Sequence, residues 1–149
     1  MAFVKKGDTL SDFTLQDQKG EKISLSDIKG KVLLSFHPFA FTSVCTDQMR
    51  ALERNYENLQ KKGITALGIS VDTQPCKAIW AQILALENVK ILADATPSGA
   101  LSKACGIWKD DLFASGRANI IVENGKVIWA KEYDLGELPD LQEILLLDL

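Results

Sequence analysis

The chain has few of the residues that bind metals or cross-link secreted proteins. Its 149 residues include one histidine, His37, and three cysteines, no two of which form a CxxC pair. Zinc sites are built from several histidine and cysteine ligands, so this composition argues against one. An odd number of irregularly spaced cysteines also argues against a disulfide-stabilised secreted scaffold, and reduced thiols are therefore expected.

Long apolar runs, a strong charge of one sign and phosphate-binding patterns are also lacking. No apolar run approaches the length of a membrane span, and the N-terminal MAFVKKGDTL has no signal-peptide core, so a cytoplasmic protein is expected. The formal net charge of −3 gives no reason to expect nucleic acid or a membrane as a partner. No GxGxxG or Walker pattern follows a strand, and the acidic residues lack metal-ligand spacing, so no cofactor or metal is predicted.

What the chain does have is an apolar content of 46%, enough for one domain with a sizeable core, expected to span positions 1–149. The hydrophobic pattern predicts an alternation of strands and helices. The segment FTLQDQKGEKISL indicates a hairpin turned at QKGEK, and KVLLSF, ITALGISV and VKILAD indicate three buried strands. Toward the C-terminus, RANIIVENGKVIWAKEY indicates a hairpin turned at Asn124 and Gly125.

Helices are predicted between and after these strands. The first has an apolar face at spacings of three and four, formed by Cys45, Met49, Leu52, Tyr56 and Leu59. The second is opened by Pro75 and has the apolar face Cys76, Ile79, Trp80, Ile83 and Leu84. Two shorter helices are predicted in SGALSKACG and LPDLQEILLLDL. This order predicts an α/β sandwich whose core strands are parallel wherever a helix connects them.

Position alone makes Cys45 a candidate nucleophile. It follows the end of the strand KVLLSF and lies in the first turn of the next helix, the region where open α/β sheets bind ligands. The helix N-terminus favours a thiolate, the reactive form of cysteine, whereas Asp47 two residues away disfavours it. A cation from elsewhere would help, and Arg117, at the start of the late hairpin, is a candidate. The alternative is that Cys45 is an inert core residue.

The stretch from Pro38 to Cys45, PFAFTSVC, resembles the P-x-x-x-T-x-x-C signature of peroxiredoxins, the alkyl hydroperoxide reductase and thiol-specific antioxidant superfamily. SGRANIIVENGKVIWA is similar to the family's arginine-containing strand–turn–strand segment, with Arg117 at the arginine. GDTLSDFTLQDQKGEKISLSDIKGKVLLSF and ILADATPSGALSKACGIW resemble other family segments, so the resemblance covers nearly the whole chain. It implies a thioredoxin fold with an added N-terminal β-hairpin, arranged as three α/β/α layers.

The resemblance also implies a function and a set of site residues. The protein would be a thiol-dependent peroxidase that reduces hydrogen peroxide or small organic hydroperoxides without metal, flavin or haem. Cys45 would be the nucleophile that is oxidised to a sulfenic acid. Thr42 would hydrogen-bond the thiolate and the peroxide, and Pro38 would shield the thiolate. Arg117 would hold the thiolate and polarise the peroxide.

Three positions in or near the site depart from the family pattern or stay open. Gln48 stands where many members have a glutamate, so it can accept a hydrogen bond from the arginine but brings no charge. Cys105 stands where an aromatic residue is common. His37 could tune Cys45 or assist a proton transfer. The alternative, which we favour, is that His37 ends a strand and hydrogen-bonds the backbone.

The route by which the sulfenic acid is reduced is open. The chain ends soon after its last predicted helix, without the C-terminal extension that carries a resolving thiol in typical two-cysteine members, and Arg50 occupies the position of an intrahelical one. Cys76 is expected at the same end of the sheet as Cys45, similar to the resolving position of thiol peroxidases, with core packing as the alternative. Cys105 is interpreted as a core packing residue rather than as a second redox cysteine. An external thiol or a thioredoxin-like partner protein is the remaining reductant.

Two other activities and a dimer are further hypotheses. A thiol–disulfide oxidoreductase would attack disulfides through Cys45, but Gln48 occupies the second position of a CxxC motif. A redox sensor would be oxidised at Cys45 without turnover. Peroxiredoxins commonly dimerise near their active-site loops, so a homodimer is expected. Four apolar residues could form its interface or else pack in the core: Phe39, Phe41, Ile107 and Trp108.

Overall fold

The structure, a computed structural model, describes residues 2–149 and has a seven-stranded sheet at its centre. The strands in chain order are β1 (Thr14–Gln16), β2 (Lys22–Ser24), β3 (Lys31–Phe36), β4 (Ile64–Ser70), β5 (Lys90–Ala93), β6 (Trp108–Lys109), β7 (Ala114–Ser115), β8 (Arg117–Glu123) and β9 (Lys126–Tyr133). The helices are α1 (Ser43–Arg54), α2 (Tyr56–Lys61), α3 (Gln74–Leu84), α4 (Ala100–Ala104) and α5 (Leu141–Leu145). Both hairpins and the three buried strands lie where the sequence predicts them.

The sheet brings its parallel strands together at the centre. Across the sheet the order is β2-β1-β5-β4-β3-β8-β9. Strands β3, β4 and β5 are parallel, and β1 and β8 pair antiparallel on either side of them. Helices α1 and α2 connect β3 to β4, and α3 connects β4 to β5, as predicted for parallel pairs. Because β3 and β4 are neighbours, α1 and α3 both begin at the same end of the sheet.

Each face of the sheet is covered by its own apolar core. On one face, side chains of α1, α2, α3 and α5 pack on strand residues such as Leu33 and Ala66. On the other face, α4 and the N-terminal segment pack on strand residues such as Leu34 and Leu67. Successive side chains of a strand point to opposite faces, which is why β3 and β4 are apolar along nearly their whole length. The result is the predicted three-layer arrangement with an added N-terminal hairpin.

Two predicted helices have different bounds in the structure. The first is divided at Asn55, whose side-chain amide and backbone N–H both donate to the Ala51 carbonyl, at 2.9 and 3.1 Å. An asparagine side chain that competes for a backbone carbonyl in this way weakens a helix. The C-terminal helix has only 5 residues, and Asp140 caps it by accepting a hydrogen bond from the Gln142 N–H at 2.9 Å.

The predicted apolar face of α3 is wrong in part. Ile79 and Ile83 are 54% and 60% exposed, whereas Lys77 is fully buried together with Trp80. Burial follows positions 77, 80, 81 and 84, a helical stripe in which a lysine occupies a core position. Trp80 and Leu84 are buried as predicted, whereas Lys77 and Ala81 occupy the core positions that were expected for the two isoleucines.

The segment before β8 contains a small sheet that the sequence does not predict. It consists of β6 and β7, which pair antiparallel over two residues each. Strands this short leave no hydrophobic period to detect. No helix within residues 2–149 is both long and apolar enough to cross a membrane.

Candidate active site

Cys45 lies in the first turn of α1, just beyond the end of β3. The chain leaves β3 at Phe36 and turns through Phe41, whose φ of +69° is in the left-handed region, before α1 begins after Thr42. Tertiary packing holds a non-glycine residue in this region, and the ring of Phe41 lies 6.1 Å from the ring of Trp80. The turn delivers Cys45 to the core, where its side chain is fully buried.

Arg117 contacts the sulfur of Cys45. Its Nη1 lies 3.3 Å from Cys45 Sγ, and only 3% of Arg117 is exposed. Arg117 is the first residue of β8, which runs antiparallel to β3, so it stands beside the turn that leads into α1. Its Nε and Nη2 donate to the Leu135 carbonyl at 3.1 and 2.7 Å, which fixes the guanidinium. A permanent positive charge is thus directed at the sulfur, where it can stabilise negative charge.

Gln48 connects Arg117 to the middle of the sheet. Its Oε1 accepts a hydrogen bond from Nη1 of Arg117 at 2.7 Å, and its Nε2 donates to the Ser35 hydroxyl at 2.7 Å and the Phe36 carbonyl at 3.1 Å. The Ser35 hydroxyl in turn donates to Asn119 Oδ1 at 2.7 Å. Ser35 and Asn119 were not predicted as site residues, although one polar residue inside each of two buried strands is a signal for such a network.

Thr42 and Pro38 lie at the mouth of the site. Thr42 is exposed, and its hydroxyl donates to the Phe39 carbonyl at 3.0 Å, so the implied hydrogen bond to the Cys45 sulfur is not present. Pro38 is buried and lines, with Thr42 and Arg117, a surface pocket of about 290 Å³. Cys45 does not line this pocket itself, but Arg117 lines the pocket and contacts the Cys45 sulfur.

All three cysteines are free thiols, and they differ in their surroundings. Cys76 is half-buried in the first turn of α3, at the same end of the sheet as Cys45, with Sγ 3.9 Å from Asp72 Oδ1. Burial, and then the Asp72 charge, raise the pKa of the Cys76 thiol. Cys105 is fully buried in the core on the other face of the sheet, where burial and then Asp94 raise its pKa to about 12.

His37 is fully buried, and its ring contacts Lys77, which was not predicted as a site residue. Nε2 of His37 lies 3.0 Å from Nζ of Lys77. The backbone of His37 behaves as expected at a strand end, since its N–H donates to the Ile69 carbonyl and its carbonyl accepts from the Ser115 hydroxyl. Burial, and then the Lys77 charge, lower the pKa of His37 well below its usual value, and burial lowers the pKa of Lys77 to about 7.

The four apolar residues considered for a dimer interface do not lie on one surface. Phe41 is 52% exposed and Phe39 is half-buried, both in the turn before α1. Ile107 is fully buried, which agrees with core packing. Trp108 is half-buried, with Nζ of Lys103 4.6 Å from its ring centroid. Only the two phenylalanines of this set therefore flank the Cys45 turn as surface residues.

The fold and the site together define a thioredoxin-fold protein with a buried cysteine at a helix N-terminus and an arginine on its sulfur. Comparison with known proteins then gives the family. The family model described as the AhpC/TSA family matches residues 6–130, so the chain belongs to this family. The peroxiredoxin resemblance of the sequence is confirmed.

Individual relatives agree with the family. The chain is 32% identical over 137 residues to alkyl hydroperoxide reductase E from Mycobacterium tuberculosis, covering 90% of this chain and 89% of the relative. It is 35% identical over 111 residues to peroxiredoxin Bcp from Escherichia coli, covering 74% of this chain and 69% of the relative. Among solved structures, peroxidoxin BcpB from Mycobacterium tuberculosis matches with a TM-score of 0.80 at 25% identity, over 89% of each chain.

Proposed function

We propose that the protein is a thiol-dependent peroxidase that reduces hydrogen peroxide or small organic hydroperoxides through a sulfenic acid on Cys45. The observation that carries the proposal is the buried sulfur of Cys45 at the start of α1, with Nη1 of Arg117 3.3 Å away. Membership of the AhpC/TSA family supports the same reaction, as do the names alkyl hydroperoxide reductase and peroxiredoxin of similar proteins.

The proposed chemical step is an attack by the Cys45 thiolate on one oxygen of the peroxide. The S–O bond forms as the O–O bond breaks, and the electron pair of the broken bond leaves on the second oxygen. That oxygen takes up one proton and departs as water or an alcohol, while the sulfur becomes a sulfenic acid. Negative charge moves from sulfur to the leaving oxygen, and the N–H groups of Arg117 can stabilise it at both places.

The other candidate residues have supporting roles in this proposal. Pro38 closes one side of the pocket, and the buried position of the sulfur restricts the substrate to small peroxides. Thr42 lines the pocket, and its hydroxyl would release the Phe39 carbonyl and hydrogen-bond the bound peroxide instead. Gln48 orients Arg117 through its 2.7 Å hydrogen bond without neutralising the charge.

An external thiol or a thioredoxin-like protein is the proposed reductant of the sulfenic acid. The first thiol displaces water from the Cys45 sulfur, and a second thiol reduces the mixed disulfide. This route is favoured because the raised pKa of Cys76 lowers its thiolate fraction at neutral pH. Cys76 stays as the alternative resolving thiol. A disulfide with Cys45 needs Cα atoms within about 7 Å, which local opening of α1 or α3 could provide.

A homodimer with Phe39 and Phe41 in its interface is also proposed. The exposed Phe41 supports it, because aromatic side chains are enriched at interfaces. Size-exclusion chromatography with light scattering should give twice the monomer mass, and a strict monomer at high concentration would exclude the dimer. A cytoplasmic location is proposed as well, since free cysteines persist in a reducing compartment.

Peroxide consumption with dithiothreitol as reductant tests the proposed activity. The protein should turn over many equivalents of hydrogen peroxide, and Cys45→Ser should abolish this turnover. Cys76→Ser makes the same change at a half-buried cysteine and should retain it. Stoichiometric oxidation without turnover would support a redox sensor instead. Reduction of insulin disulfides without peroxidase activity would support a thiol–disulfide oxidoreductase.

Mass spectrometry after one equivalent of peroxide separates the two routes of reduction. The external route predicts a protein that has gained one oxygen on Cys45. The intramolecular route predicts the loss of two hydrogens and a peptide that joins Cys45 to Cys76. Finding that peptide as the main product would replace the external thiol by Cys76 in the proposed cycle.

A further inference from the structure

Lys77 and His37 are two buried groups that the proposed reaction leaves unused. Both are fully buried, and Nζ of Lys77 lies 3.0 Å from Nε2 of His37. Trp80 packs against both, with its ring 5.3 Å from the imidazole and 5.4 Å from Nζ. Within residues 2–149, Nδ1 of His37 has no hydrogen-bond partner. The Lys77–His37 pair is therefore a buried polar contact surrounded by the apolar core.

Among residues 2–149, no carboxylate forms an ion pair with the buried Lys77. The carboxylate of Asp72 accepts hydrogen bonds from the Ala40 N–H and the Ser70 hydroxyl instead. A buried ammonium without an ion-pair partner is costly, and an apolar side chain of similar length would fill the same space without that cost. Packing alone is thus a poor explanation for Lys77, and function is a better one.

The surroundings of Lys77 make it a group that changes charge near neutral pH. Burial lowers its pKa to about 7, while three negative or potentially negative groups raise it: Asp72 after β4, Cys76 on α3 and Cys45 on α1. His37 faces Lys77 from the end of β3 and is neutral, so its Nε2 accepts the hydrogen bond from Nζ. Arg117 of β8 acts on His37 and lowers its pKa further.

Lys77 and Cys45 lie on two helices that pack against each other. Trp80, which packs against Nζ, belongs to the same buried cluster as Cys45, and α1 packs on α3. A negative charge on Cys45 raises the pKa of Lys77. By linkage, a proton on Lys77 must stabilise the Cys45 thiolate by the same free energy.

We propose that Lys77, oriented by His37, supplies a second positive charge to Cys45, holding a proton while Cys45 is a thiolate and releasing it when Cys45 is oxidised. This inference rests on the proposed function, because it takes Cys45 as the reacting thiol. Lys77 acts through Cys45 and is therefore a positioning residue.

Charge and protons balance over the cycle. In the peroxide step the thiolate loses its charge, the leaving oxygen needs one proton to become water or an alcohol, and Lys77 gives one up. Reduction of the sulfenic acid by two external thiols then forms one external disulfide and water and regenerates the Cys45 thiol. The proton of that thiol returns to Lys77, which restores the thiolate–ammonium pair.

Nuclear magnetic resonance of protein carrying isotope-labelled lysine tests the coupling. The Lys77 signal, assigned by its absence in Lys77→Met, should titrate with a pKa of about 7 in the reduced protein. In Cys45→Ser the pKa of Lys77 should be lower, because the thiolate charge that raises it is gone. An identical Lys77 titration in the two proteins would overturn the proposal.

The pH profile of Cys45 alkylation by iodoacetamide tests the reverse direction. At about pH 6, where Lys77 is protonated, Lys77→Met should react roughly threefold to tenfold more slowly than the unchanged protein, and the two rates should converge above about pH 8. Lys77→Arg should keep the faster rate at low pH, since it keeps the charge. The exposed Lys61 provides the control Lys61→Met, which should follow the unchanged protein throughout. Superimposable profiles for Lys77→Met and the unchanged protein would overturn the proposal.

Neither measurement requires peroxide, so the two proposals can fail separately. A protein that shows the Lys77–Cys45 coupling but consumes no peroxide would contradict the proposed function alone. A protein that is an active peroxidase with an uncoupled Lys77 would contradict this inference alone.

Discussion

Cys45 and Cys105 are both fully buried, yet their surroundings are electrostatically opposite. Cys45 lies in the first turn of α1 on one face of the sheet, and Nη1 of Arg117 lies 3.3 Å from its sulfur. Cys105 caps the C-terminus of α4 on the other face, within an apolar core. Burial and the Asp94 charge raise the pKa of Cys105 to about 12.

The comparison separates burial from reactivity. Loss of water disfavours a thiolate at both positions. At Cys45 the helix N-terminus and Arg117 bring positive charge close to the sulfur, whereas at Cys105 the helix C-terminus and Asp94 bring negative charge. We therefore expect the sign of the neighbouring charge, rather than depth in the core, to decide which of the two cysteines reacts.

Removing the cation from Cys45 should give the largest effect, because it makes this cysteine resemble Cys105. Arg117→Met is expected to lower kcat/KM for hydrogen peroxide by about a hundredfold or more, since it removes the donor for both the thiolate and the leaving oxygen. Steady-state peroxide consumption measures the change. The exposed Arg50 on the same helix as Cys45 gives the matched control, Arg50→Met, which should stay within about twofold. Unchanged kcat/KM in Arg117→Met would show that the contrast between the two cysteines has another cause.

Removing a hydrogen bond that orients Arg117, while keeping Arg117 itself, should lower kcat/KM less. Gln48→Met removes the acceptor of the 2.7 Å bond from Arg117 Nη1. Losing one such buried hydrogen bond should lower kcat/KM for hydrogen peroxide roughly tenfold. Steady-state peroxide consumption measures this change. Gln60→Met, at an exposed glutamine of α2, is the control and should be neutral. If Gln48→Met retains full activity, the contacts of Arg117 with Leu135 are sufficient to hold it.

Changing the other buried cysteine should have the smallest effect on activity. Cys105→Ala is expected to keep peroxidase activity within about twofold, because no proposed step uses Cys105. It should lower the free energy of unfolding by about 1 kcal/mol, since it leaves a small cavity in the core. Urea unfolding followed by tryptophan fluorescence measures the stability. A loss of turnover as complete as that of Cys45→Ser would mean that the wrong cysteine has been assigned.

The parts of the fold that depend on apolar runs and turn residues could be predicted from the sequence. Strands β3 and β4 are buried on both faces and read as continuous apolar runs. Asn124 and Gly125 both have positive φ, 51° and 76°, which explains why this dipeptide marks the late hairpin. The contact between Arg117 and Cys45 joins residues 72 positions apart, so the pattern of the chain offered Arg117 only as a candidate cation, and the family resemblance implied the contact.

Side-chain direction and partner choice could not be predicted in the same way. Helix α3 carries two overlapping apolar stripes that share Trp80, and periodicity alone could not show that the stripe containing Lys77 is the buried one. The four-carbon stem of a lysine fits a core position, but nothing in the sequence around Lys77 indicates that His37 lies beside its ammonium group. The hydroxyl of Thr42 donates to a nearby backbone carbonyl, and this local partner takes the hydrogen bond that the resemblance assigns to the Cys45 sulfur.

Trapping of the oxidised cysteine tests the central claim, that the charge beside a buried thiol makes Cys45 the residue that reacts with peroxide. The native protein is treated with one equivalent of hydrogen peroxide in the presence of dimedone, which captures sulfenic acids, and its peptides are mapped by mass spectrometry. Dimedone is expected on Cys45 and not on Cys105, and labelling of Cys45 should be much slower in Arg117→Met. Labelling of Cys105 in the folded protein, or equally fast labelling of Cys45 without the arginine, would contradict that claim.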